Sequence, residues 1–147
     1  TRFCQVTGVQ TCALPIFTTY WCRENDELGA DGSITFGTRV PLVGLPFSWT
    51  LDDFPQMEFV LGRGLTIEGL NDPRKCESMW LADMDFMAEE VEDGVYVMCF
   101  HPQVIGRGAR IRVVERMIRR AREHGFEFRT CLEAAQNWKA RNPFQAA

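Results

Sequence analysis

The sequence has few of the residues from which catalytic centres are commonly built. Histidine occurs only twice, and the six cysteines form no Cys-x-x-Cys pair, so a complete metal site cannot be assembled from this sequence. No Gly-x-Ser-x-Gly motif is present to mark a serine nucleophile. No apolar run reaches the length of about 18 residues that a membrane-spanning helix needs. These absences exclude a self-contained metal centre, a serine hydrolase elbow and a membrane span.

A concentrated positive charge is also missing. The net charge is −4, whereas binding to the phosphates of nucleic acid needs a concentrated basic face. We therefore expect no nucleic-acid partner. Small neutral or cationic substrates remain open, and so does a homo-oligomer.

Residues 1–16 show no pattern of a folded element. The segment Val6 to Ile16, VTGVQTCALPI, has neither strand alternation nor a helical repeat, and Pro15 interrupts it. Residue by residue, it resembles the translation of a standard sequencing-library adaptor. We therefore set residues 1–16 aside as a translated artefact, and we expect the native N-terminal half of the parent protein to be missing.

Four cysteines then remain, Cys22, Cys76, Cys99 and Cys131, at wide and irregular spacings. This spacing favours free thiols in a reducing compartment over a disulfide framework or a zinc knuckle. We therefore expect a cytoplasmic location. A signal peptide in the missing segment would overturn this expectation.

The remaining residues, 17–147, predict an α/β architecture. Leu42 to Trp49 predicts a short strand that runs into an acidic loop. After Pro73, apolar residues recur at helical spacing up to Gly94, which predicts an amphipathic helix of about 18 residues. Its apolar side comprises Met79, Trp80, Met84, Met87 and Val91.

The segment from Val95 onward predicts the order strand, loop, helix, strand, helix. The continuous apolar run Val95 to Phe100 is typical of a strand covered on both faces of a parallel sheet. A helix follows, then a short strand at 126–130 and a last helix at 131–142. The predicted apolar stripe of the first of these helices is Ile111, Val114, Met117, Ile118 and Ala121. This order implies right-handed crossovers in a parallel sheet or barrel.

His101 is the leading catalytic candidate. It follows the predicted strand directly, at the end where α/β folds place catalytic groups, and Pro102 stops the strand there. A histidine near its ordinary pKa can act as a general acid or base at neutral pH. The alternative is an imidazole that is hydrogen-bonded into a loop.

Asp52 and Asp53 are the second candidates, because one carboxylate of the pair could orient or charge-balance a histidine. The alternative is a turn cap before Phe54-Pro55. Arg107, in the segment GRGAR, could hold a substrate oxygen or be a solvated charge. His124 lies in the last turn of its helix, where a cation meets the C-terminal dipole, and is interpreted as structural.

The sequence contains the segments LPFSWTLDDFPQMEF, WLADMDFMAEEV and VYVMCFHPQVIGRGARIRVVERMIRRAREHGFEF. Together these segments resemble the C-terminal half of the polysaccharide deacetylase superfamily, the NodB-homology carbohydrate esterases. The branch it is most similar to contains bacterial peptidoglycan-deacetylase-like and allantoinase-like proteins. The resemblance implies a distorted (β/α) barrel and one divalent metal, usually zinc, held by an Asp and an HxxxH motif. This sequence has no HxxxH, so the metal ligands are expected in the missing half.

By this resemblance, His101 is the general acid that protonates the leaving amine, and Asp52 or Asp53 tunes it. Arg107 and Trp49 are the substrate-binding candidates. Members of the branch often have His at the position of Ala109, so no role is carried over to that position.

The resemblance implies that the intact parent is a metal-dependent amide hydrolase that removes N-acetyl groups from a glycan. One alternative is an allantoinase-like hydrolase of a small cyclic amide or ureide, and another is a non-catalytic carbohydrate-binding relic. The truncated chain is expected to be inactive, and the unpaired strand edges of a half barrel are expected to favour aggregation.

Overall fold

The structure is a computed structural model that describes residues 17–62 and 65–145; the segment 1–16 that was set aside lies outside the described residues. The described chain divides into two compact units, one of residues 17–46 and 129–145 and the other of residues 47–62 and 65–128. Within the described ranges, no helix is both long and apolar enough to cross a membrane.

The first unit is built on two antiparallel strand pairs and one helix. β1 pairs with β4 and β2 pairs with β3, while α5 packs against β4. The side chain of Thr130 accepts a hydrogen bond from Glu133 N, and the Glu133 carboxylate accepts one from Thr130 N, so α5 begins with a capping box. The elements are β1 (Tyr20–Glu24), β2 (Glu27–Leu28), β3 (Ile34–Thr35), β4 (Thr38–Gly44) and α5 (Cys131–Arg141).

The second unit is mainly helical and has one strand hairpin. β5 pairs antiparallel with β6, and α2 packs against α4. Single-turn 3₁₀ helices occur at Trp49–Leu51 and Gly108–Arg110. The other elements are α1 (Asp53–Met57), β5 (Phe59–Gly62), β6 (Leu65–Glu68), α2 (Pro73–Glu90), α3 (Pro102–Ile105) and α4 (Ile111–Glu123).

The long helix predicted after Pro73 is present as α2. Its N-cap is Asp72, whose side chain accepts from Arg74 N, and Pro73 occupies the first turn, where a missing N–H costs nothing. Its buried residues are Cys76, Trp80, Met84 and Met87. Three of the five predicted apolar positions are therefore buried, and Cys76 extends the face by one turn.

The apolar stripe predicted for α4 was partly wrong. Ile111 and Ile118 are exposed, whereas Val113 is buried together with Met117 and Ala121. These three residues lie four apart and form one narrow row along α4, the helix that packs against α2. A narrow contact buries a single row, so the neighbouring apolar positions stay at the surface.

The two strands predicted at 95–100 and 126–130 are wrong, and the strand predicted at 42–49 is shifted toward the N-terminus, to β4. Within residues 95–100 only Cys99 forms a bridge, parallel to Asp52, and these residues are half-buried. Residues 126–130 form no strand, and β4 ends at Gly44, before Pro46. A strand needs backbone partners along its edges, and Val95 to Phe100 has one such bridge among the described residues. The described chain is thus mixed helix and strand, consistent with an α/β class, and no sheet in it closes into a barrel.

The cysteine expectation is also corrected at one position. Cys22 is disulfide-bonded, while Cys76, Cys99 and Cys131 carry free thiols. The cytoplasmic location stays a prediction.

Candidate active site

A short parallel bridge joins the two segments that carry the candidate residues. Cys99 N donates to Leu51 O at 3.0 Å, and Asp53 N donates to Cys99 O at 3.1 Å. These two hydrogen bonds place the start of α1 beside the residues that lead into α3. They bring together Asp52, Asp53 and His101, which are far apart in the sequence.

The two adjacent aspartates have different tasks. Asp52 is the N-cap of α1, and its Oδ1 accepts from Phe54 N at 2.8 Å, which satisfies one of the free N–H groups of the first turn. Asp53 is the first residue of the helix and is fully buried, with 0% of its surface exposed. The turn-cap interpretation therefore holds for Asp52, and Asp53 is free to act elsewhere.

The Asp53 carboxylate contacts His101 at both the ring and the backbone. Asp53 Oδ1 lies 2.7 Å from His101 Nδ1, and the backbone N–H of His101 donates to Oδ1 and Oδ2 at 3.1 and 3.0 Å. A carboxylate can only accept, so Nδ1 carries the proton in this pair. Among the residues that the structure describes, His101 Nε2 has no hydrogen-bond partner. Asp53 therefore fixes the tautomer and the direction of the ring.

The same contact sets the charge of the imidazole. The hydrogen bond that Nδ1–H donates to Asp53 raises the pKa of His101 above its ordinary value, and the negative charges of Asp53 and Asp52 act in the same direction. Asp52 Oδ1 lies farther from Nδ1, at 3.7 Å. The side chain of His101 is 34% exposed, and its ring packs against Phe54 with centroids 5.2 Å apart. The two aspartates thus favour the protonated form of an imidazole whose second nitrogen, Nε2, is uncommitted.

His101 lies at a helix start and not at the end of a strand. It is the N-cap of α3, with Pro102 in the first turn. Its carbonyl oxygen accepts from Val104 N at 2.8 Å and from Ile105 N at 3.0 Å, and both of these residues are buried. Pro102 therefore marks a boundary between elements, as expected. The boundary is the start of α3 and not the end of a strand.

The two substrate-binding candidates, Arg107 and Trp49, lie at the surface. Arg107 is 60% exposed, and its Nη1 donates to Glu58 Oε1 at 3.2 Å. Trp49 is 70% exposed in the turn before Asp52, with its ring 6.4 Å from that of Phe47. Their roles stay predictions.

Sequence reasoning missed Arg110, three residues beyond Arg107. Arg110 donates to Glu58 Oε1 at 2.8 Å and to the carbonyl oxygens of Met57 and Val104 at 3.0 and 3.2 Å. The segment GRGAR contains both arginines, and nothing in the sequence tells which of them turns inward.

His124 is part of the helix interface. Its Nε2 lies 2.7 Å from Asp85 Oδ1, and Arg120 Nε donates to the same oxygen at 2.7 Å. This cluster joins α2 to the C-terminal end of α4, as expected for a structural histidine.

The residues at this site do not fit the metal that the resemblance implies. Ligand atoms of Asp52, Cys99 and His101 lie within 4.8 Å of one another, but Asp52 Oδ1 accepts from Phe54 N, and Asp53 engages His101 Nδ1, which leaves His101 only Nε2 for a metal. Burial, together with the nearby Asp52 carboxylate, raises the pKa of the Cys99 thiol, and zinc binds the thiolate. The set also lacks the HxxxH pair. We therefore derive no step through a metal at these residues.

Comparison with known proteins finds an informative relative. No protein-family model matches the chain. The chain is similar to a peptidoglycan deacetylase of Helicobacter pylori, with 31% identity over 108 residues. The match covers 73% of this chain and 36% of the relative, so the chain spans little more than a third of the curated relative that it matches.

Proposed function

We propose that this chain is the C-terminal part of a polysaccharide deacetylase, and that the intact protein removes N-acetyl groups from an N-acetylated sugar polymer or oligomer. The similarity to a peptidoglycan deacetylase supports the substrate class. The contact between the buried Asp53 carboxylate and His101, 2.7 Å from Oδ1 to Nδ1, carries the proposal. It supplies the proton donor that cleavage of a carbon–nitrogen bond needs.

The reaction needs a general acid because an unprotonated amine anion is a very poor leaving group. His101 acts as that acid through Nε2, while Asp53 keeps its hydrogen bond to Nδ1–H. As Nε2 gives up its proton to the leaving nitrogen, the positive charge of the ring is lost, and the Nδ1–H bond to Asp53 holds the neutral ring in the same orientation. Positioned acids of this kind contribute roughly 10²- to 10⁴-fold to a rate.

The remaining catalytic parts belong to residues outside this chain. The resemblance implies a zinc-type metal and a closed (β/α) barrel, and we propose that the missing segment supplies both. On this proposal, residues 17–147 contribute the proton donor, and they release no acetate by themselves. Trp49 and Arg107 then contribute contacts to the glycan.

The test uses the full-length protein that carries residues 17–147. Acetate release is measured from an N-acetylated chito-oligosaccharide and from peptidoglycan, with allantoin hydrolysis measured in parallel. We expect acetate release by the wild type and a loss in kcat of about 100-fold or more for His101→Gln, with little change in KM. His124→Gln, at the other histidine, is the matched control and keeps the wild-type kcat.

Each alternative outcome assigns a different function. Hydrolysis of allantoin without acetate release would contradict the proposal and support a ureide hydrolase. Binding of the oligosaccharide with no turnover of any substrate would support a carbohydrate-binding relic. Full activity of His101→Gln would remove His101 from the mechanism.

A further inference from the structure

The proton-donor pair lies on two very short helices that pack on each other. Asp53 is the first residue of α1, which has five residues, and His101 is the N-cap of α3, which has four. The two helices are in contact. Helices of this length are not stable by themselves, so the geometry of the pair depends on what holds the two helices together.

At their N-terminal ends the helices are joined through the backbone. The bridge between Asp52 and Cys99 and the hydrogen bonds that His101 N donates to the Asp53 carboxylate both lie at this end. These contacts fix where the two backbone segments approach each other. They do not fix the angle between the two helix axes, which needs a second point of attachment.

Arg110 supplies an attachment at the opposite end. Its Nη2 donates to Met57 O, the last residue of α1, and its Nη1 donates to Val104 O in α3 and to Glu58 Oε1, the C-cap of α1. Carbonyl groups at a helix C-terminus have no partner within the helix, so one guanidinium satisfies groups of both helices. The Arg110 side chain is only 19% exposed.

We propose that Arg110 is a positioning residue for the Asp53–His101 pair, joining the C-terminal ends of α1 and α3 so that the carboxylate at the start of α1 meets the imidazole at the start of α3. This inference rests on the proposed function, in which that pair is the proton donor. Arg110 acts on the reaction only through the alignment of the two helices.

Charge alone does not account for such an effect. The groups that lie against the imidazole are Asp53, Asp52 and Cys99. Arg110 lies at the other ends of the helices, about 6–8 Å away along their axes at 1.5 Å per residue, and it is paired with Glu58. A lysine at this position keeps the charge but lacks the planar fork that reaches several acceptors at once.

The test compares Arg110→Met, Arg110→Lys and a control, Arg116→Met. Arg116 pairs with Glu77 between α4 and α2 and is also an arginine at a helix interface. The readout is the pKa of His101, taken from hydrogen–deuterium exchange at the imidazole C2 position by peptide mass spectrometry across pH. The measurement is made on the full 147-residue chain, with His124 as internal reference.

We expect the pKa of His101 to fall in Arg110→Met toward its ordinary value of about 6.5, and to fall less in Arg110→Lys. In Arg116→Met we expect the wild-type value, even if the melting temperature is lower. In the full-length protein, Arg110→Lys is expected to move the alkaline limb of the pH–rate profile to lower pH.

A wild-type His101 pKa in a folded Arg110→Met would overturn the inference and leave Arg110 with a structural role only. If Arg110→Met does not fold, Arg110→Lys decides in the same way. The proposed function is tested separately. Full acetate release by His101→Gln would contradict the proposed function, and an effect of Arg110 on the His101 pKa could still be observed in that case.

Discussion

Asp53 and His101 are joined at two points, by the carboxylate and ring Nδ1 at 2.7 Å and by the same carboxylate and the backbone nitrogen of His101 at 3.0 Å. One buried side chain thus fixes both the position of the histidine backbone and the direction of its ring. The tautomer, the orientation and the charge of the imidazole depend on the same contact. Changes at Asp53 are therefore expected to alter all three together.

Replacing each aspartate by asparagine separates their two tasks. Asp53→Asn removes the charge that is hydrogen-bonded to Nδ1, so we expect the pKa of His101 to fall toward about 6.5. Asp52→Asn still caps Phe54 N and removes a charge that lies 3.7 Å away, so its effect is expected to be smaller. Hydrogen–deuterium exchange at the imidazole C2 position across pH measures the pKa of His101 in both variants. A larger fall in Asp52→Asn would mean that the two roles are reversed.

The same pairing is expected to make stability depend on pH. Because the pKa of His101 is raised in the folded state, its contribution to the free energy of unfolding is fully present below about pH 6.5 and is lost as pH rises through the folded-state value. Urea unfolding of the wild type from pH 6 to pH 9 should show this loss. Asp53→Asn should show a flatter profile over the same range, and equal slopes would count against the pairing.

Asp85 is expected to govern the acid side of the stability profile. The hydrogen bond from Arg120, with a further one from His124, lowers the pKa of Asp85 to about 2. Its contribution is therefore present above about pH 4 and is lost as pH falls toward about 2. Urea unfolding between pH 6 and pH 3 should show a smaller decline in Asp85→Asn than in the wild type. Glu77→Gln, in the other ion pair between α2 and α4, is the control, and an equal decline in wild type and Asp85→Asn would contradict the prediction.

Trp80 is expected to stabilise the segment that leads to the aspartates. It is fully buried in α2, and its Nε1 donates to Thr50 O at 2.6 Å. Trp80→Phe should cost about 1 kcal/mol by loss of this hydrogen bond, and Trp80→Ala about 4 kcal/mol by leaving a cavity. Ser78→Ala, on the exposed side of the same helix, should stay within about 0.5 kcal/mol. Denaturant unfolding measures all three, and equal costs for Trp80→Phe and Ser78→Ala would count against the role of the hydrogen bond.

The elements that sequence predicted well are those that local chemistry determines. The cap Asp72, Pro73 in the first turn and the helical spacing of Trp80, Met84 and Met87 all act within α2, so its position could be predicted. The apolar run from Val95 was wrong because a strand depends on partners elsewhere in the chain, and a single bridge, between Cys99 and Asp52, is present among the described residues.

For the candidate site, the sequence proposed His101 and the aspartate pair, and their catalytic roles stay predictions. Only the fold shows that Asp52 caps α1 while Asp53 contacts the imidazole, since the two differ by a single position. Arg107 and Arg110 present the same difficulty. Which of them turns inward depends on the carbonyl groups of Met57 and Val104, which lie on two different helices.

The most direct test of the central claim is the pH dependence of kcat for acetate release by the full-length protein, in the wild type and in Asp53→Asn. If protonated His101 donates to the leaving amine and Asp53 raises its pKa, the alkaline limb of the profile moves to lower pH in the variant and the maximum falls. An alkaline limb that stays in place, with activity at the wild-type level, would contradict a proton donor built from Asp53 and His101.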